Sequence, residues 1–223
     1  MEKQFSEKES LELINQMINS AKNNLQKGMG NVFLLWGYLV AAISLVIFIL
    51  LLVLPQPVKY NAYILWCLMA VGGPVHVRLI RKMEQQQMVR TYVDKILSFL
   101  WIGFAVSIVL VIIGIIASSV LVLPSFTETS QEFLRWFQWL FITPFMLSLY
   151  GFALFISGKA YGYKPLATGG IICWVASTLL LISIHHPYTL EIQQIVLSVS
   201  ALIGFVIPGH LLNIKEKNHV PGT

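Results

Sequence analysis

Residues 78 to 95 read RLIRKMEQQQMVRTYVDK. Arg78, Arg81, Lys82, Arg90 and Lys95 crowd into this stretch, and a long apolar run lies on either side of it. A basic bend between apolar runs carries topological information, because membrane proteins concentrate Lys and Arg on their cytoplasmic loops. The reading of the whole chain follows from this bend.

Outward from it, six apolar runs appear, at residues 32–54, 62–77, 96–121, 133–157, 166–184 and 192–212. A helix rises 1.5 Å per residue, so roughly 20 residues cross a hydrocarbon core of about 30 Å. The run 62–77 is short, and 96–121 is long enough to tilt. Trp36 and Tyr38, and Trp136 and Trp139, stand near run ends, where amphipathic rings suit the headgroup layer. Pro55-Gln56-Pro57 and Pro124 close the first and third runs. The predicted fold is all-α: a polytopic membrane protein with six transmembrane helices in residues 31–213. A cytoplasmic amphipathic helix precedes them within residues 1–30, and a cytoplasmic tail follows at 214–223.

Composition agrees. The 223 residues are 57% hydrophobic and only 11% charged, whereas soluble domains carry about 25% charged residues. The net charge of +5 is explained by topology rather than by nucleic acid, which is not an expected partner. Thirteen of the 15 Lys and Arg fall on the N-terminal segment, the basic bend, the Lys159/Lys164 link and the tail; the opposite loops hold only Lys59 and Arg135. With six crossings, this places both termini in the cytoplasm. The opening MEKQFSEKES does not read as a signal peptide.

Residues 6–28 read as the amphipathic helix. Ser6 and Glu9 have capping-box spacing. Leu11, Ile14, Ile18, Ala21 and Leu25 recur at steps of three and four and form one apolar face. That face packs on the bundle or on headgroups, or makes a short seam to a partner. Gly28-Met29-Gly30 is expected to end the helix.

Motifs for chemistry are sparse. No acidic or basic residue lies in the centre of a run, which disfavours proton-coupled transport. Cys67 and Cys173 sit in apolar runs as small hydrophobes. There is no H-E-x-x-H and no G-x-x-x-x-G-K, so no cofactor and no catalytic residue is assigned. His185-His186 offers a metal pair or an interfacial turn with polar tips in water, and a serine–histidine pair drawn from Ser157 and His210 lacks a glycine turn before the serine. His76 and His210, near the inner boundary, meet only if the second and sixth runs pack together. Thr143 beside Pro144 marks a further polar point in the membrane. Gly37/Ala41, Gly103/Ser107, Gly114/Ser118 and Ser200/Gly204 permit close helix approach, either within one bundle or between copies in a homo-oligomer. Ser44, Thr143, Ser148, Thr178 and Ser198 are read as bonding to their own helices. Prolines in the even runs (Pro74, Pro144 and Pro208) suggest three stacked hairpins.

The stretch ESLELINQMINSAKNNLQKGMGNVFLLWGYLV, residues 9–40, resembles the opening of a set of uncharacterised small six-span bacterial inner-membrane proteins. The resemblance implies a bacterial inner-membrane location. It transfers no catalytic or binding residue.

The expected function is a non-enzymatic interaction or regulatory membrane protein that presents a basic cytoplasmic face to a cytosolic partner. The expected contacts are Leu11, Ile14, Ile18, Leu25, Arg78, Arg81, Lys82 and Arg90. The alternative is a small carrier or channel for an uncharged or weakly polar solute, lined from Thr143 toward His76 or His210.

Overall fold

A computed structural model describes residue 11 and residues 28–56, 58–86, 92–128, 130 and 137–218. Among these residues the fold is all-α, and six helices are long and apolar enough to cross a membrane. Helix α1 is Met29–Val53. Helix α2 begins as a 3-10 helix, Val58–Leu68, and continues as the α-helix Met69–Gln86. Helix α3 runs Tyr92–Ala117 and ends through a π-turn, Ser118–Val122, and a 3-10 turn, Leu123–Ser125. Helices α4 and α5 are Phe137–Ala160 and Lys164–Ile182. Helix α6 is Thr189–Glu216, with a π-turn at Leu202–Val206.

All six predicted runs are helices, with shifted ends. The largest shift concerns the basic stretch. Residues 78–86 are not a bend; they continue α2, and residues 92–95 already belong to α3. Residues 87–91 lie outside the described residues. The sequence 78–86 has no Gly or Pro to stop a helix that is already running. Met29 and Gly30 likewise belong to α1, while Gly28 before them is left-handed (φ 88°), the conformation glycine adopts at least cost.

The helices are unequal. Only 6% of the apolar part of α2 and of α3 is buried, against 39–56% for the other four. The core is therefore α1, α4, α5 and α6, with α2 and α3 outside. Tyr150 of α4, Phe205 of α6 and Phe33 of α1 meet Trp101 and Phe104 of α3 with ring centroids 4.9–6.3 Å apart. Such edge-on and tilted contacts add to what burial alone contributes.

Small residues let the core helices close up. A Cβ on Gly169 of α5 would lie 2.8 Å from the Cα of Gly204 of α6, and one on Gly170 would lie 2.6 Å from the carbonyl oxygen of Gly151 of α4. Gly37 of α1 faces Phe205 and Val206. The pairs Gly37/Ala41 and Ser200/Gly204 thus serve packing inside one bundle. By contrast, a Cβ on Gly103 or Gly114 of α3 would meet nothing within 4 Å. The strongest packing joins α4 to α5 and α1 to α6, so three stacked sequential hairpins do not describe the bundle.

Candidate functional site

The antiparallel pairing of α1 with α6 defines two ends. The terminal end holds residues 28 and 218; the distal end holds the start of α6. At the terminal end, α2 runs past its apolar part. Arg78, Arg81 and Lys82 stand exposed on that extension, and their spacing of three and four puts them on one face. Met83 is turned inward and buried. A Cβ on Gly28 would lie 3.0 Å from Met83 Cγ, and the Gly28 amide donates to Glu216 Oε2 at 3.1 Å. Residue 28 is thereby held between the extensions of α2 and α6. Leu11 is helical and exposed; Ile14, Ile18, Leu25 and Arg90 lie outside the described residues.

The two histidines near this end do not meet. Trp36 Nε1 donates to His76 Nδ1 at 3.1 Å, and Tyr38 Oη pairs with His210 Nε2 at 2.7 Å. Trp36 and Tyr38 are two residues apart, which turns them about 200° around a helix of 3.6 residues per turn. Helix α1 therefore stands between His76 and His210. Ser157 Oγ is buried without a hydrogen-bond partner and His210 is engaged by Tyr38, so the serine–histidine pair is not assembled. Thr143 is buried but lies at the distal end, and the aromatic cluster fills the bundle between it and the histidines. Thr143 is thus not brought together with His76 or His210.

The link between α4 and α5 carries its own polar contact. Tyr161 Oη donates to Asp94 Oδ1 at 3.1 Å. Burial, and next the Asp94 carboxylate, push the Tyr161 phenol above its ordinary range. A raised phenol contributes stability that is complete below its unfolded value of about 10 and is lost as pH rises above it. Tyr161→Phe is expected to cost about 1.5 kcal/mol at pH 7, the worth of one bond to a charged acceptor. Its stability should also fall less steeply than that of the wild type above pH 10. Denaturant titrations across pH in one detergent check both.

The distal end brings together Lys59 and Glu191, read from the sequence as loop charges, and two glutamines of the sixth run. Lys59 Nζ and Glu191 Oε1 are 3.1 Å apart, with side chains only 16% and 7% exposed. The Lys59 ammonium also stands 5.5 Å from the Tyr60 ring centroid. Gln193 and Gln194 are buried on α6. Gln193 Nε2 donates to the carbonyl of Leu140 at 2.8 Å. Pro144, four residues on, has no N–H to offer that carbonyl, so a side chain from another helix replaces the missing bond. The serines also bond between helices rather than only within them. Ser198 Oγ donates to the Ala41 carbonyl at 3.0 Å, and Ser148 pairs with Ser177 at 2.8 Å. Thr178 bonds to its own helix, at the Trp174 carbonyl. The legible signal for the distal cluster was Glu191 and Gln194 at a spacing of three, which shares a helix face.

Among the described residues, no group of three or more His, Cys, Asp or Glu is placed to hold a metal ion. His186 Nδ1 accepts instead from the Tyr188 amide at 3.2 Å. Compared with protein-family models, curated proteins and solved structures, the chain matches none.

Proposed function

We propose that this chain is a multi-pass protein of the bacterial inner membrane, with both termini in the cytoplasm, acting as a non-enzymatic interaction or regulatory protein. The observation that carries the reading is the terminal end. The α2 extension exposes Arg78, Arg81 and Lys82, and Gly28 is fixed beside it. Residue 28 therefore lies against the inward side of the helix whose outer face carries these cations. Six apolar helices support the membrane location, and the thirteen basic residues on one side support the orientation. The mechanism is docking: the apolar face of Leu11, Ile14, Ile18 and Leu25 enters a groove on a cytosolic partner. Arg78, Arg81, Lys82 and Arg90 meet an acidic rim and speed encounter.

The test uses the full chain in cells, with a photo-crosslinking residue at position 14 or 18. The expected result is a discrete adduct to one cytosolic protein that is lost in Arg78→Gln/Arg81→Gln/Lys82→Gln. Adducts to lipid alone would refute docking, and adducts to a second copy would make the face a homo-oligomer contact. Reporter fusions test the orientation: a phosphatase should be silent after residue 88 and active after residue 128.

A second reading, a small carrier or channel for an uncharged or weakly polar solute, draws on the distal polar cluster. The aromatic packing of Phe33, Trp101, Tyr150 and Phe205 counts against an open path through the bundle.

A further inference from the structure

Helix α2 packs mainly on α1, and its two halves are held differently. The distal half is seated. Ala62 is buried with Ile43, Ile47 and Leu51 of α1, and Tyr63, Trp66 and Met69 pack against them. The terminal half follows Gly72-Gly73-Pro74. Pro74 has no N–H for the Ala70 carbonyl, and a missing bond is where a helix bends. A Cβ on Gly73 would meet nothing within 4 Å. Beyond this point, Gly72, His76 and Met83 recur at steps of four and seven and so share one face. That face is turned to α1: a Cβ on Gly72 would lie 2.9 Å from the Trp36 and Leu39 side chains, and Met83 covers Gly28. Arg78, Arg81 and Lys82 fall on the other side and are exposed.

The polar tie of the terminal half is the bond from Trp36 Nε1 to His76 Nδ1 at 3.1 Å. An indole N–H only donates, so the bond needs a neutral imidazole with its proton on Nε2. His76 is half-buried. A proton taken from water goes to Nδ1, the ring's remaining lone pair. Two N–H groups then face each other, and the bond is lost. The Tyr38–His210 contact across α1 differs, because a phenol hydroxyl donates or accepts and keeps its bond when His210 is protonated. Helix α1 offers His76 no counter-charge: it has no acidic residue, and Tyr38, its one titratable side chain, is turned to His210. Helix α2 itself carries Arg78, Arg81, Lys82 and Glu84 at this end. Helix α6 brings Lys215 and Glu216, and Glu216 accepts the Gly28 amide. Lys59 and Glu191 pair at the opposite end.

We propose that α2 carries a proton-operated latch: protonation of His76 frees the terminal half of α2 from α1, and this half swings about Gly73-Pro74, carrying Arg78, Arg81 and Lys82 with it. The distal half stays seated. The lever from Gly73 to Gln85 is about 18 Å long, so a tilt of about 15° moves its end by about 5 Å. The latch acts on the protein alone, so its test needs no docking partner.

The test is double electron–electron resonance on the full chain in nanodiscs. Spin labels go on Gln85→Cys of α2 and Lys164→Cys of α5, both exposed positions, in a Cys67→Ala background; Cys173 is fully buried. At about pH 8 a single narrow distance is expected. At about pH 5, below the ordinary histidine value of about 6.5, it should shift or broaden by about 5 Å. His76→Asn keeps an acceptor in the place of Nδ1 but takes up no proton, and should hold the alkaline distance at both values. Trp36→Phe keeps a ring but loses the donor, and should show the acid distribution at both. His210→Asn should respond as the wild type does. The proposal is overturned if the wild-type distance does not change, the result expected of an imidazolium retained over the Trp36 ring, whose centroid is 5.8 Å away. It is overturned equally if His76→Asn moves as far as the wild type, if Trp36→Phe keeps the narrow distance, or if His210→Asn abolishes the response.

Discussion

Lys59→Met lowers the unfolding free energy by about 3 kcal/mol, the expected result of removing one partner from a buried ion pair. The loss is asymmetric. Without Lys59, the Glu191 carboxylate stays on the first turn of α6 with 7% of its side chain exposed and, among the described residues, without its ion-pair partner. A short carboxylate arm cannot swing to water from there. Glu191→Gln leaves instead a lysine on a long aliphatic stem, which can carry its ammonium outward, and should cost less than half as much. The double variant Lys59→Met/Glu191→Leu should recover most of the loss, since apolar replacement of a buried pair is often neutral. Unfolding midpoints of the four proteins in one detergent decide the matter. Small and equal losses in the two single variants would mean that both side chains already reach solvent.

The second large effect is at Gly170. A methyl there would stand 2.6 Å from the Gly151 carbonyl oxygen and 2.7 Å from the Phe155 amide nitrogen. These obstacles are backbone atoms, so no rotamer change relieves them and α4 must move away from α5. Gly170→Ala is expected to cost about 3 kcal/mol, the upper range for overpacking. Gly103→Ala is the control: the same methyl meets nothing within 4 Å. It should leave stability unchanged or raise it by about 0.5–1 kcal/mol through helix propensity. Thermal unfolding of the two variants side by side measures the difference. If a second copy packs on the Gly103 face, Gly103→Ala will instead disturb oligomer size in gel filtration.

The six helices were legible because a long apolar run admits few alternatives. Their ends were not, since apolarity stops at residue 77 while the α2 backbone continues through Arg78, Arg81 and Lys82 to Gln86. Composition marks where lipid would end, and hydrogen bonding marks where the helix ends. The pairing of helices was also hidden. Gly169 and Gly204 reveal their meeting only in three dimensions, and the small pairs on α3 look the same in sequence as those that pack. His76 and His210 were noticed, but nothing in their spacing shows that α1 lies between them. The distal cluster was missed because Lys59 and Glu191, counted as loop charges, seemed unrelated across 132 positions.

The register of α1 against α6 has a consequence for biosynthesis. Ala41 and Ser198 are 157 residues apart, and ribosomes add roughly 5–20 residues each second. The first helix therefore waits on the order of ten to thirty seconds for its main neighbour to be translated. Until then Gly37 and Ser44 have no α6 to cover them. The nascent chain must be sheltered over that interval, by acyl chains or by an insertion factor, and a message cut short before its last helix would yield a protein that cannot close.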